Sequence, residues 1–237
     1  MSKLAIIYGY NNLNFNNRSY LGISKNKYGV PSSAVSLATI DDYEIFLLNR
    51  HNHDFKYPPH LINYKANIFA LKELGVNSII SINTVGIISS NYEFTKLFLP
   101  NQIIDYTNRD SSFVDDPFSI DNFIDFYLPF DNKLYKKIRK LLSNNIYNDI
   151  TYGVTQGPRM ETKSELNKMQ NDGCDIVGMT LMPECLLAKQ LSINFASICV
   201  PVNKPGTPMS KEDIQLYRSS GYKKIEEFII SNIKQLI

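Results

Sequence analysis

The stretch HLINYKANIFALKELGVNSIISINTVG, residues 60–86, decides the class of fold. Tyr57-Pro58-Pro59 breaks the chain ahead of it, and the residues from about His60 to Leu74 read as a helix. Gly75 ends that helix, because glycine takes the left-handed backbone of a helix C-terminus without a Cβ clash. Ser78-Ile79-Ile80-Ser81-Ile82 then reads as a buried strand running into a polar end, Asn83-Thr84-Val85-Gly86. A helix followed directly by an apolar strand is the repeating unit of an α/β sheet.

The same alternation extends outward. Upstream, Leu4 to Tyr8 is a short apolar strand that ends at Gly9, followed by an irregular asparagine-rich loop. Glu44 to Leu48 is a second strand, ending at Asn49-Arg50-His51. Downstream, strands are expected at Gln102–Tyr106, Ile150–Val154 and Asn194–Val202. Helices are expected at Asn132–Leu142, from Glu161 to near Gly173, and at Met182–Leu191, with a final one from about Lys211, broken near Gly221. This pattern predicts the α/β class: a single domain spanning residues 1–237, with a mixed central β-sheet flanked by helices.

Bulk properties narrow the function. A chain of 237 residues suits one large domain, and 43% hydrophobic with 12% aromatic residues supplies a core, which excludes intrinsic disorder. A net charge of +2 with 20% charged residues gives no broad basic field, so nucleic acid is not an expected partner. Cys174, Cys185 and Cys199 form no CxxC pair and read as buried thiols in a reducing compartment. The amino-terminal apolar run is too short for a signal peptide, and no segment approaches the ~20 apolar residues of a membrane span. A cytoplasmic protein without membrane contact is the expectation.

In open α/β sheets, ligands bind beyond the carboxyl ends of strands. Arg50 and His51 stand at such an end, where adjacent donors suit an anion or form a solvated loop pair. His51, His53 and His60 lie close together, but no helical pair or neighbouring cysteine supports a metal site. Met179 packs against a flat ring or fills core, and Thr180 donates to an anion or caps the next helix. Asn203 offers a donor and an acceptor to a heterocycle, or serves a turn before Lys204-Pro205-Gly206. Glu161 follows the rigid turn Thr155-Gln156-Gly157-Pro158. It sits near a helix start, where it either favours the helix N-terminus or is aimed at a ligand.

Six stretches in order, RHNHDFKYPPHLINYKANIFALKELG, SINTVG, LPNQIIDYT, TQGPRMET, DIVGMTLMPECLLAKQL and FASICVPVN, resemble the trimeric nucleoside phosphorylase family. That family includes purine nucleoside phosphorylase and methylthioadenosine phosphorylase. The branch most similar in these motifs is the bacterial one that acts on S-methyl-5′-thioinosine. The resemblance implies a homotrimer and no cofactor beyond inorganic phosphate as co-substrate. It implies that Arg50, His51, Thr84 and Thr180 hold phosphate and that Met179 packs on the ribose. Phe123 would enter the neighbouring subunit's site.

By the same resemblance, Glu161 and Asn203 face the purine base. A carboxylate accepts the N1–H of a 6-oxopurine and is mismatched to the N1 lone pair of adenine. His51, Glu161 and Asn203 are the catalytic candidates. Ile214 and Tyr217, spaced i and i+3, either form an apolar wall around the 5′ substituent or belong to a core stripe of the final helix. The family's first loop is glycine-rich with a phosphate-binding Thr or Ser. Here it reads Tyr8-Gly9-Tyr10-Asn11-Asn12, and Asn11 or Asn12 is the substitute donor expected. The implied activity is phosphorolysis of 6-oxopurine nucleosides.

Overall fold

The computed structural model describes residues 3–10, 13–15, 18–22, 24–52, 55–110, 112–114 and 119–237. Nine strands and five α-helices alternate along it: β1 Leu4–Tyr8, β2 Arg18–Tyr20, β3 Ser36–Ile40, β4 Tyr43–Asn49, α1 Tyr64–Glu73, β5 Ser78–Ile87, β6 Leu97–Asp105, α2 Asn132–Leu142, β7 Ile146–Val154, α3 Lys163–Asn171, β8 Ile176–Gly178, α4 Leu181–Gln190, β9 Asn194–Asn203 and α5 Lys211–Leu236. The α/β class and the mixed sheet expected from the sequence are both found.

The strands are ordered β2-β3-β4-β1-β5-β8-β7-β6-β9, and β9 also pairs with β5. The last five strands therefore close into a ring, with β2, β3, β4 and β1 extending from it. β1 runs parallel to both β4 and β5, and β9 runs parallel to β5. β8 is antiparallel to β5, and β6 is antiparallel to β9.

β1 explains why both faces are covered. All five of its residues are buried, as a strand between two parallel neighbours requires. Leu4, Ile6 and Tyr8 point into one hydrophobic cluster, which α2 and α5 cover with Ile138, Ile225 and Ile229. Ala5 and Ile7 point into a second cluster, covered by Ile68 and Leu71 of α1 and by Leu181 and Cys185 of α4. The three cysteines are unpaired and buried.

Several boundaries depart from expectation for local reasons. Pro59–Leu61 forms a 3-10 turn, and α1 begins only at Tyr64, because Asn63 caps it by accepting from the Ala66 N–H. β5 does not stop at Ile82 but continues through Asn83, Thr84 and Gly86, paired throughout with β9. The final helix is unbroken. A Cβ on Gly221 would lie 2.2 Å from Val200 Cγ1, so this glycine lets α5 approach β9 rather than interrupting the helix. Among the described residues no helix is long and apolar enough to cross a membrane.

Candidate active site

The carboxyl ends of β1, β4, β5, β8 and β9, together with the loop after β7, converge on one cavity. Its lining includes Gly9, Arg50, Thr84, Met179, Glu161 and Asn203. Sequence reasoning had assembled the last five of these from separate motifs, and the sheet brings them together. His51 and Thr180 complete the set.

Arg50 is not a solvated loop residue. It is 1% exposed, and its guanidinium donates from Nε to Glu184 Oε1 at 2.7 Å and from Nη2 to Glu184 Oε2 at 3.2 Å. Nη1 donates to the Ile82 carbonyl at 2.8 Å, and Nη2 donates to Ser81 Oγ at 2.8 Å. Glu184 therefore cancels the charge of Arg50 locally and fixes its plane, as a buried ion pair with further hydrogen bonds must to be tolerated. A Cβ on Gly9 would lie 3.0 Å from Arg50 Nη1 and 2.9 Å from His51 Cδ2. Glycine at the end of β1 is thus what allows the Arg50–His51 corner to close against the chain.

His51 Nδ1 lies 2.7 Å from the Tyr57 carbonyl, which can only accept, so Nδ1 carries the proton. Burial, reinforced by the Arg50 charge and opposed by the Tyr57 bond, pulls the imidazole pKa down to about 4. The ring is therefore neutral near pH 7, with Nε2 as an acceptor.

Thr180 occupies the N-cap position of α4 but makes no side-chain cap bond. Its hydroxyl donates to Asn83 Oδ1 at 2.7 Å, while Asn83 Nδ2 donates to Ser81 and Ser197. One buried polar network thus runs from Thr180 to the Arg50–Glu184 pair and holds both groups at the cavity floor.

Glu161 is not the helix cap either. Thr162 caps α3 in a reciprocal box with Glu165, and Glu161 stands one residue before it. Its Oε1 accepts from Thr155 Oγ1 at 2.7 Å. Its Oε2 is buried with no hydrogen-bond partner among the described residues. A buried carboxylate oxygen left unpaired is costly, which makes it an acceptor awaiting a donor from a ligand.

Arg109 stabilises this wall, a role that no motif around it signals. It donates to the carbonyls of Met179 at 2.6 Å on one loop and of Met182 at 2.8 Å at the start of α4, and to that of Gln156 at 2.5 Å on the other loop. The loop carrying Glu161 and the loop carrying Met179 are thereby fastened together.

Two expectations need correction. Ile214 packs against the core, and Tyr217 stacks on Phe94 with ring centroids 4.4 Å apart, so neither lines the cavity. The positions of α5 that do so are Arg218 and Tyr222, spaced i and i+4 and so on one helical face. Phe123 is 73% exposed and does not line its own chain's cavity. Asn11, Asn12 and His53 lie outside the described residues. Among the described residues no group of three His, Cys, Asp or Glu side chains could hold a metal ion.

Comparison with known proteins places this geometry. The family model described as Phosphorylase superfamily matches residues 27–230. A probable S-methyl-5′-thioinosine phosphorylase from Pseudomonas syringae pv. tomato is 37% identical over 180 residues, 74% of this chain and 73% of that protein. An S-methyl-5′-thioadenosine phosphorylase from Nitrosopumilus maritimus is 38% identical over 216 residues, 87% of this chain and 81% of that protein. Among solved structures, a methylthioadenosine phosphorylase sourced from an antarctic soil metagenomic library superposes with a TM-score of 0.91. It covers 99% of this chain and 86% of its own at 24% identity, a likeness of fold.

The chain belongs to the phosphorylase superfamily, and within it to the family of purine nucleoside and methylthioadenosine phosphorylases. It is a nucleoside phosphorylase, an enzyme that transfers a pentosyl group.

Proposed function

We propose that this enzyme phosphorolyses 6-oxopurine nucleosides, with S-methyl-5′-thioinosine first and inosine or guanosine next. The products are the free base and 5-methylthioribose 1-phosphate, or ribose 1-phosphate. The observation that carries the reading is the unpartnered Glu161 Oε2 in the cavity wall, since a 6-oxopurine supplies the N1–H donor this oxygen lacks. Adenine would bring a second acceptor to the same oxygen.

In the proposed reaction a phosphate oxygen bonds to C1′ as the C1′–N9 bond breaks, and that bond's electron pair moves onto the purine. Asn203, at the end of β9, stabilises the departing base by a hydrogen bond at N7. Glu161 orients the base through N1–H. The Asn203 bond strengthens as charge develops on the base, which is where binding accelerates chemistry. Arg50, Thr84 and Thr180 form the phosphate side, where His51 Nε2, being an acceptor, takes the remaining O–H of monohydrogen phosphate, and Met179 packs on the ribose. No metal or organic cofactor enters the reaction. The reading extends to a cytoplasmic homotrimer in purine salvage, in which Phe123 completes a neighbouring subunit's site.

One observation favours a second reading, in which water replaces phosphate. The Gly9 and Tyr10 amides, which a glycine-rich loop would offer to an anion, are occupied by the Tyr222 hydroxyl at 3.4 and 3.1 Å. The deciding experiment measures purine release from S-methyl-5′-thioinosine, inosine and adenosine with and without phosphate. Phosphate-dependent release from the first two, with adenosine poor, is the expected result. Release without phosphate would make the enzyme a hydrolase, and no release would leave a nucleoside-binding protein.

A further inference from the structure

The charge balance of the cavity does not suit an incoming phosphate unless α5 is included. Three charged residues line it among those described: Arg50, Glu161 and Arg218. Arg50 is matched by Glu184, and Glu161 contributes a carboxylate. Without Arg218, a phosphate dianion would enter a site of net negative charge. Arg218 forms no ion pair with the described residues, and its Nε is buried with no hydrogen-bond partner among them.

The guanidinium is also held in place. Its central carbon lies 3.5 Å from the Tyr10 ring centroid, a stacked cation–π contact. Nη1 donates to Gln215 Oε1 at 3.2 Å, and the Tyr10 hydroxyl donates to that same oxygen at 2.8 Å. The bulky Tyr10 is thus the platform on which Arg218 lies. One helical turn further on, Tyr222 accepts from the Gly9 and Tyr10 amides, and its own proton has no acceptor among the described residues.

We propose that Arg218 and Tyr222 of α5 form the anion-binding donors for phosphate in this enzyme, in place of the first loop's backbone amides. Tyr222 takes up the two amides and presents one O–H in their stead, and Arg218 supplies the cation that Glu184 removes from Arg50. This inference rests on the phosphorolysis reading.

The test uses the full-length enzyme and inorganic phosphate. Wild-type turnover of S-methyl-5′-thioinosine is first shown to require phosphate; if it does not, the phosphorolysis reading fails before this inference is reached. In Arg218→Gln the KM for phosphate is expected to rise at least tenfold while the KM for the nucleoside stays within twofold. Arg218→Lys, which keeps the charge but loses the planar stack, should lie between the two, and Tyr222→Phe should raise the phosphate KM several-fold. Thermal midpoints of each variant with and without phosphate report folding separately, and the phosphate-induced rise should shrink in Arg218→Gln. An unchanged phosphate KM in both Arg218 variants would overturn the proposal. So would a rise confined to the nucleoside KM and dependent on the 5′ substituent, which would make Arg218 a reader of that group.

Discussion

Replacing Glu161 with glutamine changes the cavity by one proton-bearing group. Thr155 Oγ1 donates to Glu161 Oε1, and in Glu161→Gln the amide oxygen keeps that bond because only it can accept. The amide nitrogen then occupies the place of the buried, unpartnered Oε2. A 6-oxopurine N1–H would meet a donor where it met a carboxylate. A hydrogen bond to a charged group contributes about 1.5–3 kcal/mol, so kcat/KM on S-methyl-5′-thioinosine and inosine should fall roughly 10- to 150-fold. The same nitrogen can donate to the N1 lone pair of adenine. Turnover of 5′-methylthioadenosine should therefore hold or rise, inverting the preference. Initial rates on the three nucleosides at saturating phosphate, read by chromatographic separation of the free base, measure the ratio directly. A loss under threefold on the 6-oxopurines, with the preference unchanged, would refute the assignment of Glu161 to the base edge.

Further tests follow from the same contacts. Thr155→Val removes the donor that orients Glu161, and should lower kcat/KM on 6-oxopurine nucleosides about fivefold, equivalent to roughly 1 kcal/mol. Glu184→Ala leaves the Arg50 guanidinium buried and unpaired. Urea unfolding should show a loss of about 3–5 kcal/mol. The His51 pKa is lowered from 6.5 to about 4, so between these values the unfolded chain binds a proton that the folded chain does not. Its contribution is fully present above pH 6.5 and is lost as pH falls toward 4. Unfolding midpoints across that window should decline, and His51→Gln should flatten the decline.

The sequence made the alternating strands and helices legible wherever an apolar run was long enough to be bounded by Gly, Pro or a polar end. β1, β4, α2 and β9 lie within two residues of the expected places. It could not show β2 and β8, which are three residues long, nor the ring closure made by β5–β9 pairing between distant segments. The strand-end residues Arg50, Thr84, Met179 and Asn203 could be collected because each follows an apolar run. Glu184, Asn83 and Arg109 could not, because their roles are set by partners 134, 97 and 70 positions away. The face of α5 was misjudged for a related reason. Ile214 and Tyr217 look like a lining stripe, yet the approach of Gly221 to Val200 fixes a rotation that turns Arg218 and Tyr222 to the cavity.

The Arg109 clamp limits how one wall of the cavity can move. Because one guanidinium holds carbonyls from both loops, the Glu161 and Met179 side of the cavity moves as a unit, and swinging it outward would strand several buried acceptors at once. On the remaining rim the Tyr10 and Phe55 rings meet with centroids 4.7 Å apart, and Phe55 stands 48% exposed. The cavity thus pairs one tied wall with an aromatic edge.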